Sequence, residues 1–431
     1  MLMSLQLIYG PSGSGKSYTL YKKIIEQSIR EPDREFIVIV PEQFTMQTQR
    51  ELVELHPNRG ILNIDVQSFL RLAWRIFEEV GVDTHTVLED TGKNLLLRRV
   101  ASRQKNDLTV LGRNFRKPGY ISQVKSIISE LKQYDVSLEE LDEQLRSGKK
   151  DALSYKLQDI RNLYEGFQEE LQGKYITSEE ILEELCYVVK KSEILKGCVV
   201  ALDGFTGFTP IQNKLLRELM QTAEKIYVTV TLDAWEDPMK KVSMHKLSYL
   251  SKKTIQQLAG AAKECGCMLE KPEVLGKEGS IRFRSAPALR FLERHLFRPG
   301  NQIYEAQDSQ KLERELSLHV ARDAKAEAEF AARTIWHLVR EENLRYRDIA
   351  VITGDMESFG DHMKKELQQK GIPCFIDRTR KLLLNPLVEF LRAALQIATK
   401  SFRYESVFRY LRTGLAGLKR DEIDRLENYV L

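Results

Sequence analysis

Cysteine is scarce in this chain. Its five residues in 431, Cys186, Cys198, Cys265, Cys267 and Cys374, are odd in number and irregular in spacing. That excludes a disulfide framework as the source of stability and points to a reducing compartment. Cys265 and Cys267 stand close together, but no second close pair or nearby histidine completes a zinc site. The seven histidines are scattered, without an H-E-x-x-H pair, and neither a G-x-S-x-G elbow nor an evident paired-carboxylate site is present. Apolar runs are short: none approaches the roughly 20 residues of a membrane span, and "MLMSLQLIYG" is too brief for a signal peptide. A cytoplasmic protein without membrane association is therefore expected. Charge of one sign is not in excess either. The formal net charge of +4 is too mild to coat nucleic acid by bulk electrostatics, although it leaves room for a local basic channel.

At about 100–200 residues per domain, the length predicts two to four domains. A strand at the start runs into a glycine-rich turn and a helix. It is followed by the β-branched run "EFIVIVPEQF" (35–44) and a helix over about 45–55. Alternation of this kind predicts an α/β fold with a parallel sheet covered by helices. From about 80 to 195 the pattern becomes long helical periodicity, as in "SYKLQDIRNLYEGFQEEL", and Thr177 with Glu180 has capping-box spacing. We read this as a helical insertion. Strand character returns in "GCVVALDGF" (197–205) and "KIYVTVTLD" (225–233), with a helix between them, and closes a first domain over 1–300. The Arg-rich stretch 281–301 reads as a solvated helix face. A second parallel-sheet domain, 301–431, is expected from "LSLHVA" (316–321), "DIAVIT" (348–353) and "GIPCFID" (371–377), with helices between.

"GPSGSGKS" (10–17) satisfies G-x-x-x-x-G-K-[ST] in full and sits between a strand and a helix. In such a phosphate loop the backbone of Gly10, Pro11, Ser12, Gly13, Ser14 and Gly15 wraps an anion, Lys16 reaches the β- and γ-phosphates, and the Ser17 hydroxyl ligates Mg²⁺. Hydrolysis further requires a strand-borne carboxylate for the magnesium shell and a group that activates water. Asp203, at the end of "VVALD", is the candidate for the first. Glycine follows it at 204, so a plain tight turn at Asp203-Gly204 is the lesser alternative, and a water-activating side chain is missing on either reading. In "SFLRLAWR", Phe69, Arg71, Trp74 and Arg75 combine aromatic and cationic groups of the kind that hold single strands, although a Trp in an amphipathic helix is more often core. Gln43 and Thr45 in "PEQFT" follow a strand, where they are placed to touch DNA or, for Thr45, to cap a helix.

Taken in order, "YGPSGSGKSYTL", "VPEQFT", "SFLRLAWR", "LDGFTGFTP", "EAEFAARTIWHLVREENLRYRDIAVITGD", "GIPCFIDRTRKLLLNPLVEFL" and "YESVFRYLRTGL" resemble the N-terminal part of the AddB (RexB) family. This is the B subunit of the bacterial AddAB helicase–nuclease, and the resemblance covers essentially the whole chain. It implies a superfamily 1 helicase-like P-loop fold that has lost motor activity while keeping an ATP–Mg²⁺ site. Gly204 fits that loss, as does Gly354 in "VITGD", where working helicases of this fold often carry an arginine. The resemblance further implies an AddA-type helicase–nuclease partner and recognition of the Chi sequence on the 3′-terminated single strand. The implied strand contacts are Gln43, Thr45, Phe69, Arg71, Trp74 and Phe205. Full-length members continue into a nuclease domain with a 4Fe–4S iron–sulfur cluster, whose ligands and active-site motif are not found among these residues.

The leading expectation is thus a DNA-binding, non-motor module that binds ATP, with no catalytic residue of its own. Its rival is an active P-loop translocase that recruits a different carboxylate. A third reading is a scaffold whose phosphate loop is vestigial. An ABC-type ATPase is disfavoured, because no L-S-G-G-Q signature follows.

Overall fold

Phe36, Ile37, Val38 and Ile39 are all completely buried, as expected of a parallel strand covered on both faces. Each such side chain contributes about 1.5–3 kcal/mol on burial. They lie at the heart of a computed structural model that describes residues 3–82, 86–104, 107–112, 115, 117–147, 151–298, 300–305, 309–376 and 382–431. The chain divides into two units, Met1–Leu316 and Ser317–Leu431.

Unit 1 opens with β1 (Ser4–Gly10), α1 (Lys16–Arg30), β2 (Phe36–Ile39), α2 (Thr45–Leu55), β3 (Ile64–Gln67) and α3 (Phe69–Val80). A mainly helical block follows: β4 (Thr86–Leu88), α4 (Asp90–Arg103), α5 (Pro118–Gln133), α6 (Leu138–Ser147), α7 (Ala152–Leu171), β5 (Tyr175–Thr177) and α8 (Ser178–Val188). The chain then returns through β6 (Val199–Leu202), α9 (Pro210–Met220), β7 (Lys225–Thr231), α10 (Tyr249–Glu264), β8 (Met268–Leu269), β9 (Glu273–Val274), α11 (Pro287–His295) and α12 (Ser309–Glu315).

Among the described residues the main sheet has the order β3-β2-β6-β7-β1-β8, with β9 also pairing β1, and every pairing is parallel. Its strands are joined by helical crossovers, as parallel pairing requires. One face packs Leu5, Leu7, Ile37, Ile39, Val200 and Val228 against α3, α8, α9 and α10. The other packs Ile8, Phe36, Val38, Ala201 and Tyr227 against α1 and α2.

The helical block has its own core, in which Leu97, Leu163 and Phe167 are buried. Asp159 of α7, wholly buried, accepts the N–H groups of Thr109, Val110 and Leu111 at 2.9, 2.8 and 2.7 Å and so fixes that turn. The expected capping box is present: Glu180 accepts the Thr177 N–H at 2.8 Å and starts α8. A short parallel pair, β4 with β5, was not anticipated. It brackets the block at the two points where the chain leaves and re-enters the main domain.

Unit 2 contains α13 (Ala324–Glu341), α14 (Met356–Gln369), α15 (Pro386–Thr399), α16 (Tyr404–Leu411) and α17 (Arg420–Val430). Ala328, Ala332 and Ile335 of α13 pack on Phe359, Met363 and Leu367 of α14. The second parallel sheet is not found among its described residues. The runs 316–321, 349–353 and 372–376 form no strand among the described residues, residues 346–348 form a tight 3₁₀ turn, and residue 377 lies outside the described residues. Leu318, Val320, Ile352 and Phe375 are all at least 90% exposed. Apolar alternation specifies a strand only where a neighbouring ladder accepts it, and among the described residues these runs have none, although Ile349 and Ile372 pack on the α13–α14 core. In "VITGD", Asp355 caps α14 by accepting the Ser358 N–H at 3.1 Å.

Candidate functional site

The chain leaves β1 toward β2 and β3 on one side of the sheet and later returns to β8 on the other, so β1 lies at a topological switch point. Crevices beyond the carboxyl ends of strands at such points are the usual ligand sites of open α/β sheets. The loop after β1 is the glycine-rich segment. Gly13 and Gly15 take φ of 74° and 88°, left-handed values that favour glycine. Gly15 precedes α1 and offers no side-chain cap, which leaves the helix N-terminus facing the loop with its backbone donors free for an anion. Ser17 is half-buried at this end.

Lys16 folds back into the loop and donates to the carbonyls of Gly10 at 3.1 Å and Pro11 at 2.9 Å. Burial pushes its pKa down, the nearby Asp203 carboxylate opposes that shift, and the cation of Arg282 adds to it. The Ser14 hydroxyl is buried and finds no hydrogen-bond partner among the described residues. A positive helix end, a half-buried ammonium and an orphaned buried hydroxyl in one loop together fit a phosphate chain.

Asp203 follows β6, one strand removed from β1 across β7. It is buried, accepts Tyr21 Oη at 2.7 Å and Thr229 Oγ1 at 2.5 Å, and the Tyr21 phenol is pushed up by burial and by that carboxylate. Each carboxylate oxygen keeps further lone pairs, so the residue has capacity left for a water of a magnesium shell. Gly204 occupies φ 78° and packs on Pro41 and Phe44. A glutamate here would be strained as well as new, which gives the missing base a backbone reason. Among the described residues no group of three or more His, Cys, Asp or Glu side chains gathers for a metal. Cys186, Cys198 and Cys267 are buried, the first two with thiols pushed up to about 12 by burial, while Cys374 is exposed.

The Arg-rich stretch is only in part a solvated face: Arg282, Arg284 and Arg294 are exposed, but the segment also folds onto the phosphate loop. β9 pairs β1, the chain turns at Gly276, and the Arg282 N–H donates to the Gly13 carbonyl at 3.2 Å. Ser280, buried and likewise unpartnered among the described residues, points its hydroxyl at Gly13. Farther on, Arg298 pairs with Asp233 at 2.6 Å, and Arg294 lies 5.3 Å over the Trp235 ring. Asp233 and Arg298, with Leu289, Leu292 and Glu293 of α11, line a cleft of about 720 Å³ that includes Ser12, Thr231 and Phe283. The Glu293 carboxyl is pushed up by burial first and then by Asp233. Sequence reasoning missed Ser280, Arg282 and Glu293 because their local pattern is only a basic amphipathic helix. The strand β9 that turns them toward the loop is two residues long and leaves little periodic signal.

The residues expected to contact a strand fall into three groups. Gln43, in the turn after β2, and Arg71, in the first turn of α3, are exposed, and a 3.0 Å Arg71–Glu42 pair ties the two segments. Thr45 and Phe69 are buried: Thr45 donates to the Glu42 carbonyl at 3.0 Å, and Phe69 packs on Phe205 and Phe208 with centroids 5.4 and 6.5 Å apart. Phe205 is half-buried in that trio. Trp74 is 38% exposed and edge-on to Phe77, but its pocket is also lined by Glu165, Glu169, Glu180, Glu183 and Glu184. Arg75 is engaged by Asp65 at 2.6 Å.

A family model described as "ADDB, N-terminal" matches residues 7–293. The chain belongs to the AddB family. It is 46% identical over its full length to a protein of Lachnoclostridium phytofermentans named as the B subunit of an ATP-dependent helicase/deoxyribonuclease. Proteins of the same name from Clostridium tetani and Clostridium novyi are 36% and 35% identical, again over the whole chain. The chain spans 37% of the length of each of these relatives. The AddB match runs from β1 to within α11, and so contains both the phosphate loop and the segment folded onto it. Among the described residues no helix is long and apolar enough to cross a membrane.

Proposed function

We propose that this chain is the helicase-like, non-motor part of an AddB protein in recombinational repair, with a P-loop of the superfamily 1 kind. ATP sits on residues 10–17, with Lys16 on the β- and γ-phosphates and Ser17 and Asp203 around Mg²⁺. The bound nucleotide stabilises the domain instead of driving cycles. The observation that carries this is the pairing of a phosphate loop complete in sequence and local geometry with a carboxylate strand that ends at Gly204 in a left-handed turn. An AddA-type partner supplies unwinding, and the names of the relatives support that division, because they are subunits of an ATP-dependent helicase/deoxyribonuclease. A nuclease domain and its iron–sulfur cluster belong to the longer family members.

Single-stranded DNA bearing Chi runs over the loops that follow β2, β3 and β6. Gln43 and Arg71 are its direct contacts; Thr45, Phe69 and Phe205 shape the loops beneath. The exposed Arg71–Glu42 pair contributes only about 0.2–1 kcal/mol and is readily exchanged for a phosphate. Trp74 contributes less than its residue type suggests, since five glutamates line the same pocket. Arg71→Ala is expected to weaken single-strand binding several-fold and to lower the slope of log affinity against log salt by about 0.7, one phosphate contact. Fluorescence anisotropy across a salt series reads this. An unchanged slope would remove Arg71 from the interface.

One observation favours the rival, an active translocase: Glu293 lines the same cleft as Ser12 of the phosphate loop, and burial raises its carboxyl pKa. That reading predicts DNA-stimulated phosphate release lost on Glu293→Gln.

A further inference from the structure

We propose that the cleft lined by Trp74 and five glutamates is a docking site for an arginine-bearing segment of a protein partner, and not a path for DNA. The guanidinium enters among aromatic rings and meets the carboxylates of α7 and α8.

The walls supply the first argument. A cleft of about 680 Å³ opens within unit 1 between the helical block, which contributes Leu138 and α7, and the sheet domain, which contributes α3 and α8. That volume is within the ordinary range of ligand pockets. Its apolar lining includes Phe77, Val82 and Ile176, and the rings of Trp74, Tyr175 and Tyr187, which also line it, remain 38%, 37% and 63% exposed. Exposed aromatic rings beside an apolar lining are the usual anchors of protein interfaces, and their faces attract guanidinium groups. The Tyr187 ring already draws one cation: Lys214, which is not part of the lining, lies 5.8 Å over it.

Charge identifies the occupant. Glu165 and Glu169 of α7, and Glu180, Glu183 and Glu184 of α8, recur three and four residues apart, so each helix turns an acidic stripe to the cleft. Like charges four apart, Glu165 with Glu169 and Glu180 with Glu184, destabilise a helix, and among the described residues no lysine, arginine or histidine lines the cleft. Three of the five are compensated from outside it: Glu165 by Arg161 at 2.5 Å, Glu180 by Lys132 and Glu183 by Lys214 at 3.9 Å. Glu169 and Glu184 are exposed and, among the described residues, have no cation within ion-pair distance. The negative field extends to Tyr164, whose phenol is pushed up to about 12 by burial first and then by Glu180. Such a rim repels the phosphates of DNA. Arginine suits it, because its planar fork pairs with carboxylates while its face stacks on aromatic rings. A peptide is favoured over a free polyamine, since aliphatic neighbours of the arginine cover Val82 and Ile176.

Fluorescence anisotropy of the whole 431-residue chain with a rhodamine-labelled peptide of alternating leucine and arginine tests this. The net charge of +4 gives such a peptide no bulk attraction to the chain. Joint replacement Glu169→Gln and Glu184→Gln is expected to weaken binding about fivefold, and Tyr187→Leu about threefold. Citrulline in place of arginine, which keeps the shape and removes the charge, is expected to cost at least about tenfold. The replaced side chains are exposed and the two glutamines relieve like-charge repulsion, so a melting temperature at or above that of the unmodified chain verifies folding. No binding by the unmodified chain, equal binding of the citrulline peptide, or unchanged affinity in the glutamine variant would overturn the proposal. Displacement by equimolar spermine would overturn it in favour of a free polyamine, and oligothymidylate binding that weakens on Tyr187→Leu in favour of DNA. Self-association that the glutamine variant abolishes would overturn it in favour of a second copy of this chain.

Discussion

Replacement of Lys93 by methionine is expected to destabilise unit 1 by about 3–5 kcal/mol, the usual cost of stranding one member of a buried ion pair. Lys93 of α4 and Glu179 of α8 meet at 2.7 Å with side chains only 4% and 10% exposed. α4 belongs to the core of the helical block and α8 to the core of the sheet, so the pair joins the two. Burial alone would push the Glu179 carboxyl up, but hydrogen bonds and charge from Lys93 overrule it and hold the group below its ordinary value. A carboxylate depressed on folding contributes stability that is present above its unfolded pKa and is lost as pH falls through the folded one. The contribution of Glu179 therefore persists at neutral pH, begins to fall below about pH 4.5 and is lost as pH drops through the lower folded value. Urea unfolding at pH 7 and pH 4 reads both effects. The variant should show its largest deficit at pH 7, and adding Glu179→Leu should restore most of the loss, because an apolar pair avoids the desolvation cost. A deficit that the second substitution does not relieve would mean that the pair is not what joins the two cores.

Gly13→Ala is expected to abolish nucleotide binding while leaving the sheet folded. The residue holds φ 74°, a conformation that costs a side-chain-bearing residue about 1–3 kcal/mol. Its new methyl group would fall 2.6 Å from Ser280 Oγ and 2.7 Å from Arg282 Cβ. Ser280 can rotate away; a Cβ cannot, so the loop and the segment over it must separate, at a further cost of about 1–3 kcal/mol. The strain is local to a loop that contributes nothing to the main cores. Circular dichroism should be unchanged and Mg–ATP titration flat. Retained affinity would mean that the contact between loop and segment is dispensable for the site.

Much of the first unit is legible in its residues alone. The β-branched runs at 36–39 and 199–202 are buried on both faces and leave no doubt of their state, and the Thr177–Glu180 box marks a helix start at the residue where it occurs. The phosphate loop is a local feature, and its spacing alone places it between β1 and α1. What escapes is non-local. Tyr21 and Thr229, which hold Asp203, are 182 and 26 residues away in the chain, and nothing at those positions announces the pairing. Arg282 reaches Gly13 only because β9 adds to β1. Phe69 reads as a stacking residue from its type, yet its partner Phe208 and the trio they form with Phe205 place it in the interior. In unit 2 the strand pattern is present as a pattern, and the missing ladder is a property of its neighbours, which no window of sequence contains.

Phosphate release is the measurement closest to the central claim, that the nucleotide is held and not spent. The chain and its Lys16→Ala variant are titrated with Mg–ATP, and inorganic phosphate is then followed with and without single-stranded DNA. The account predicts binding that falls by about two orders of magnitude on Lys16→Ala, as loss of a charge-assisted phosphate contact allows, and no release above background in any sample. Lys16-dependent, DNA-stimulated release would contradict it, assign the missing base to another carboxylate, with Glu293 the first to test, and make this chain a motor.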